Sequence, residues 1–203
     1  MSRQYGCIAF TDDVRGVQDD YGSSGFYDRM RRRADRAEES DPLGPNEASF
    51  LTNRDGFYLS TVSQTGWPYV QFRGGPPGFL RVTDEHTIAW ADFRGNLQHV
   101  STGNLVGDQR VAIIAVDYPR RLRLKLFGMA RVIRIKDDPR LVSSLAVADY
   151  SAVVEAAIVV KVTAFDWNCP QHIPQRLTLA EVEARIAPLR ARIEELEGQV
   201  GTT

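Results

Sequence analysis

The 203-residue chain has little cysteine: two residues, Cys7 and Cys169, with no metal-binding or redox spacing between them. That pattern argues against a disulfide framework or a thiolate metal centre, and reduced thiols in a cytoplasm are the expectation. Cys169, in Asn168-Cys169-Pro170, reads as an unreactive loop thiol. Long apolar runs are also missing. None approaches the roughly 18–20 residues that a membrane span requires, and the apolar stretch in MSRQYGCIAF is too short for a signal peptide. No membrane partner is expected. Charge of one sign is lacking as well, since 25 Lys and Arg face 26 Asp and Glu. This argues against a dedicated nucleic-acid binder. The cluster Arg29-Met30-Arg31-Arg32-Arg33 runs at once into Asp35, Glu38 and Glu39, which reads as a mixed, solvated helix face. With three histidines in the chain, no His/Cys/Asp/Glu spacing supports a metal site. No serine or cysteine has the partner pattern of a nucleophile.

What is present is an ordinary globular composition, 43% hydrophobic and 25% charged, enough for one sizeable domain with helical extensions. The expected division is a helical extension over 1–49, a barrel over 50–168, and a loop and helix over 169–203. Thr11 can cap a helix through Gln18, and Ser23 or Ser24 a second through Glu39. Asp41-Pro42-Leu43-Gly44-Pro45 breaks the chain before a third helix from Asn46 to near Arg54. From Gly56 the texture changes to strands. Phe57 to Ser63 and Trp67 to Arg73 form a hairpin across Gln64-Thr65-Gly66. Phe79 to Val82 and Thr87 to Asp92 form another, followed by a helix from Asn96 to Leu105. Val111 to Val116 is a continuous apolar run of buried-strand length. Leu122 to Ile135 alternates in part, Asp137-Asp138-Pro139 starts a helix, and Ala157 to Phe165 is the last strand. Six or seven strands with hairpin connections make a mainly β protein, an antiparallel barrel whose closure removes exposed edges.

The tail differs. Thr178 with Glu181 fits a capping box. Leu179, Val182, Ile186, Leu189, Ile193, Leu196 and Val200 alternate at three- and four-residue spacings, the seam of a helix that packs on a partner. Pro188 predicts a kink or break near Ala184 to Ala187. Two or three heptads with a proline favour packing on the chain's own barrel or on a sister subunit over a free coiled coil.

Candidate chemistry concentrates at two bends. Arg73 precedes Gly74-Gly75-Pro76-Pro77-Gly78, and Arg94-Gly95-Asn96 stands where the next helix is expected to begin. An arginine fork beside glycine and free helix amides suits a phosphate. Asp92 is open between a site role and a helix cap. Trp67 and Trp90 read as barrel packing, Arg120 and Arg121 as solvated loop charges, and His86 and His99 as structural or solvated.

The strings Gly66-Trp67-Pro68-Tyr69-Val70-Gln71-Phe72-Arg73-Gly74-Gly75-Pro76-Pro77-Gly78-Phe79, Ala91-Asp92-Phe93-Arg94-Gly95-Asn96 and Asp117-Tyr118-Pro119-Arg120-Arg121 resemble the pyridoxamine 5′-phosphate oxidase-related FMN-binding proteins. The resemblance spans about Phe50 to Phe165, and Gln171-His172-Ile173-Pro174-Gln175-Arg176 extends it toward one uncharacterised branch. It implies a split β-barrel homodimer with FMN at the subunit interface. By the same resemblance, the backbone of Val70, Gln71 and Phe72 meets the isoalloxazine edge. Arg73, Ala91, Asp92, Arg94, Gly95 and Asn96 form the phosphate side, and Arg123 is a polar cofactor contact on a later strand. The serine-arginine-lysine turn of the characterised oxidases is replaced here by Arg94-Gly95-Asn96. Their C-terminal substrate-gripping signature is absent as such, with Trp167 and the His172 to Arg176 string in its place.

The implied activity is an FMN-dependent oxidoreductase acting on a small organic substrate. Trp167, His172 and Arg176 are the candidate substrate contacts, with His172 also the candidate catalytic proton donor or acceptor. His172 is equally readable as a loop histidine closing over the barrel. Two alternatives stay open: a non-catalytic flavin-binding or sensor protein, and a split barrel using deazaflavin or haem.

Overall fold

The structure is a computed structural model that describes residues 3–32, 40–167 and 170–200. Three short helices come first: α1 (Arg3–Ala9), α2 (Asp12–Asp20) and α3 (Ser24–Arg32). The Thr11 hydroxyl caps α2 by accepting from the Val14 amide. The expected extension of α3 to Glu39 lies outside the described residues, as does the reading of Cys169. α4 (Pro45–Thr52) opens on a proline, where the missing amide hydrogen is one the helix does not use.

Seven strands follow: β1 (Gly56–Val62), β2 (Pro68–Gly74), β3 (Leu80–Asp84), β4 (Thr87–Phe93), β5 (Arg110–Asp117), β6 (Leu122–Arg134) and β7 (Val154–Trp167). They form one sheet in the order β2-β1-β5-β6-β7-β4-β3. It does not close, because β2 and β3 are its two ends, and the fold is a split barrel rather than a ring without edges. Alternation explains which face turns inward. In β5, Val111, Ile113 and Ala115 are buried while Ala112, Ile114 and Val116 are half-covered. In β1, Phe57, Leu59 and Thr61 are buried and Tyr58 is exposed.

The inward residues meet in one core that includes Phe57, Leu59, Phe79, Leu80, Trp90, Leu124 and Val160. Phe57 stacks on Phe79 at 5.8 Å and meets Trp90 edge-on at 4.9 Å. Each fully buried side chain of this size contributes roughly 1.5–3 kcal/mol relative to exposure. A smaller cluster joins Ala89, Ala91 and Ala157 to Val142 and Leu145. Alanines there let α6 (Pro139–Ser144) approach the outer face of β4 and β7. The Asp138 side chain caps that helix, as Asp137-Asp138-Pro139 predicts.

Three expectations need correction. α5 spans Val100–Gly107 with His99 at its N-cap, so no helix starts at Asn96. The Asn96 side chain instead accepts from the Gln98 amide at 3.2 Å. This is an Asx turn, which competes with helix initiation. Trp67 is not barrel packing: it is 75% exposed, at the tip of the β1–β2 hairpin. α7 (Leu179–Val200) runs through Pro188 without a break.

The chain separates into two compact units, Met1–Val116 with Arg123–Cys169, and Asp117–Leu122 with Pro170–Thr203. In the second, the buried Asp117 carboxylate accepts from the Arg120 amide at 3.0 Å and its guanidinium at 3.2 Å. The Gln175 side chain donates to the Pro119 carbonyl at 2.8 Å. Thr178 and Glu181 cap α7 reciprocally. The Thr178 amide, and after it the hydroxyl, hold the Glu181 carboxyl below its ordinary range. Among the described residues no helix is long and apolar enough to cross a membrane.

Candidate functional site

β2 alternates so that Tyr69, Gln71 and Arg73 are half-covered while Val70 and Phe72 are exposed. Gln71 and Arg73 therefore share a face and meet the end of β4. A cavity of about 180 Å³ lies there, lined by Gln71, Phe72, Arg73, Ala91 and Asp92 and by the Gly95–Leu97 bend, with His99, Thr102 and Glu155. Seven of the ten residues that the resemblance assigns to a cofactor line this single space. The other three stand apart. Arg94 points to Glu155. Val70 lines a second, largely apolar cavity of about 220 Å³ beside Tyr58, Ile114 and Phe127. Arg123 lines neither.

The polar groups of the first cavity are mostly engaged. Arg73 Nη1 donates to Asp92 Oδ1 at 2.6 Å, and both side chains are largely buried. Arg94 Nε donates to Glu155 Oε1 at 2.7 Å, nearer the surface. The Ser101 hydroxyl donates to Gln71 Oε1 at 2.9 Å. Burial pushes the Asp92 carboxyl above its ordinary 3.8; Arg73 opposes that shift and Glu155 adds to it. Two donors are left over. Arg73 Nε is buried and donates to nothing; among the described residues the same holds for Trp90 Nε1, whose residue also lines this cavity, and for Arg123 Nε away from it. A buried donor without an acceptor is unfavourable by about 1–3 kcal/mol.

The bend itself is unusual. Leu97 and His99 both have positive φ, 63° and 51°, a conformation that side chains with a Cβ resist. Such residues cluster at ligand sites. Sequence reasoning assigned His99 to a helix and missed Glu155 and Thr102. Glu155 comes to the site because β7 pairs with β4 through Ala156↔Asp92 and Val154↔Phe93, across a register shift. Nothing local in the sequence announces that partnership.

Of the candidate substrate residues, Trp167 belongs to the first unit and does not line the cavity. Trp167 Nε1 donates to Glu47 Oε1 at 2.7 Å, and its ring meets Phe50 edge-on at 4.8 Å. His172 is exposed with φ 62°. Arg176 places its guanidinium 4.9 Å from the centre of the Tyr118 ring. His172 and Arg176 belong to the second unit. Among the described residues no group of three or more His, Cys, Asp or Glu is placed to hold a metal.

An unclosed antiparallel sheet with a polar cavity where the ends of β2 and β4 meet defines a split-barrel binding protein. The chain belongs to the pyridoxamine 5′-phosphate oxidase family, whose model matches residues 43–173. No curated protein matches it. Among solved structures it is similar to HupZ of Group A Streptococcus, with TM-score 0.50 and 17% identity over 66% of this chain and 100% of that one. A histidine-to-alanine variant of the same protein gives 0.51 and 17% over 62% and 99%. An FMN-binding protein from Syntrophomonas wolfei gives 0.49 and 12% over 75% and 97%. At these identities the likeness is one of fold.

Proposed function

We propose that this protein binds FMN in the cavity between β2 and β4 and serves as an oxidoreductase for a small organic substrate. The observation that carries the reading is the buried Arg73 Nε–H, which has no acceptor and belongs to a residue that lines the cavity. A phosphate or ribityl oxygen would satisfy it. The remaining donors suit the same group: the Asn96 amide, the Thr102 hydroxyl and the backbone of the Gly95–Leu97 bend. Two carboxylates stand against an anion, and both are moderated. Arg94 neutralises Glu155, and burial pushes Asp92 toward its uncharged form. The residues therefore fit a phosphorylated ligand.

β2 is an end strand of the sheet. One side of its backbone has no ladder partner, and alternate residues from Val70 to Phe72 can hydrogen-bond the edge of a planar ring. When bound, FMN supplies hydride and single-electron chemistry that no side chain here provides. The protein's share is to hold the phosphate through Arg73 and to keep water from the ring with Phe72, Phe79 and Trp90.

The proposal includes a homodimer with the flavin at the subunit interface. A cavity of 180 Å³ is smaller than the roughly 300–1,000 Å³ of sites that enclose an organic ligand, so a second copy would complete it. The exposed Tyr58, Val70 and Phe72 form an apolar surface suited to that contact. His172 and Arg176 remain the substrate candidates, and a cytoplasmic setting follows from the cysteine pattern. The test is the absorption spectrum and mass of whatever copurifies, followed by FMN titration. A flavin band near about 450 nm with the mass of FMN is expected. Colourless protein that takes up no FMN would overturn the proposal.

A further inference from the structure

The C-terminal helix α7 carries an apolar seam that the first unit's chemistry does not use. Its residues fall into heptad positions without a gap. Leu179, Ile186, Ile193 and Val200 occupy a, while Val182, Leu189 and Leu196 occupy d. Leu189 is 64% exposed and Ile193 54%, and Leu179 and Leu196 are exposed as well. Large apolar side chains repeated along one stripe at this exposure mark an association surface.

We infer that α7 pairs with α7 of a second copy of this chain as a parallel, in-register two-stranded coiled coil. Three observations select that occupant. First, the central positions are isoleucine at a (Ile186, Ile193) and leucine at d (Leu189, Leu196). Branching at the β-carbon at a with leucine at d is the combination that parallel two-stranded packing favours.

Second, the flanking charges discriminate orientation. Position g holds Arg185, Arg192 and Gln199, and position e holds Glu183, Arg190 and Glu197. In a parallel pair each g faces the e five residues on in its partner, so Arg192, which also pairs with Glu195 of its own helix, faces Glu197 twice. Arg185 meets Arg190, whose guanidinium is already held by Glu183 of its own helix at 2.7 Å. In an antiparallel pair g faces g, and no carboxylate is available there to meet the arginines.

Third, the proline does not stand in the way. Pro188 falls at c, away from the seam, and the helix continues through it. The capping box at Thr178 and Glu181 and the Arg192–Glu195 pair support a helix that already exists in the folded chain. Association then does not bear the nucleation penalty that makes short isolated helices marginal. Its 22 residues give about 33 Å of contact, three heptads.

The test is disulfide trapping in the full-length chain, with Cys7→Ser and Cys169→Ser removing the native thiols. Leu196→Cys at d is compared with Ala191→Cys at the outward f position, under oxidised glutathione, by non-reducing gel and mass spectrometry. Leu196→Cys is expected to give a 196–196 covalent dimer at least tenfold faster than Ala191→Cys. The double variant Val182→Cys/Leu196→Cys should give 182–182 and 196–196 links. An interchain 182–196 link would mean antiparallel packing, and equal rates at 191 and 196 would mean random collision. Absence of any interchain link would mean that the seam is covered within one chain. Each of these results overturns the inference. Flavin content is scored separately on the same samples, so failure of the coiled coil and failure of the FMN proposal are read independently.

Discussion

Replacing Arg73 by leucine isolates the electrostatics of the cavity. The guanidinium and the Asp92 carboxylate lie 2.6 Å apart, with 14% and 12% of their side-chain surface exposed. Burial already raises the Asp92 pKa above 3.8, and Arg73 is the largest influence holding it down. Leucine removes that influence, so the value climbs further. A raised carboxyl pKa means the folded state holds the proton more tightly than the unfolded one. Stability is then full below the unfolded value of 3.8 and falls as pH rises through the folded value.

Deleting one partner of a buried pair is unfavourable by about 3–5 kcal/mol, and protonation sets a ceiling on that loss. Keeping an ordinary carboxyl neutral at pH 7 costs about 1.4 kcal/mol per pH unit over roughly three units, ~4 kcal/mol in all. Arg73→Leu is therefore expected to lose about 3–4 kcal/mol at pH 7 and to recover more than half of it by pH 5. Urea unfolding at half-unit pH steps reads this directly. Adding Asp92→Asn should flatten the pH dependence and restore most of the stability. A loss below about 0.5 kcal/mol, or one equal at every pH, would refute the pairing.

Other consequences follow from packing. A Cβ on Gly128 would lie 2.6 Å from the Lys161 carbonyl oxygen and 2.7 Å from Val160 Cγ1, where the β6–β7 register shifts. Gly128→Ala should therefore destabilise by about 1–3 kcal/mol in denaturant titration, through strain between strands; an unchanged midpoint would contradict that close approach. Trp167→Phe removes the donor to Glu47 and should lower stability by about 1–2 kcal/mol while leaving FMN affinity unchanged. A selective loss of substrate turnover at unchanged stability would instead restore Trp167 to the substrate site.

Much of the barrel was legible because strand alternation is a local signal. The Phe57 and Leu59 pattern of β1, the continuous run in β5 and the leucine alternation of β6 each mark their strand within a residue or two of its observed limits. The two arginine bends were legible as candidates because glycine and arginine stand side by side in the chain, and the structure brings Arg73 and the Gly95–Asn96 bend to one cavity. What the site does with those arginines was not. Asp92 faces Arg73 because β2 and β4, far apart in the order of the sheet, converge where it is open, and Glu155 reaches Arg94 through the β4–β7 ladder. Asn96 looked like a helix cap because asparagine serves caps and Asx turns equally, and only the left-handed Leu97 and His99 show which was chosen. Trp67 looked buried because aromatic residues in strands usually are, but a hairpin tip offers nothing to cover it.

The central claim is that Arg73 holds the phosphate of a flavin nucleotide while Arg94 neutralises Glu155 beside it. The most direct measurement compares FMN with riboflavin, which lacks only that phosphate, by titration of the wild-type chain and of Arg73→Leu/Arg94→Leu. Working near pH 5.5 is expected to destabilise the variant less than pH 7, because burial raises the Asp92 carboxyl pKa. Charge-assisted hydrogen bonds of about 1.5–3 kcal/mol predict a wild-type preference for FMN of about 10- to 150-fold that disappears in the double variant. An equal preference in both proteins, or none in the wild type, would contradict it.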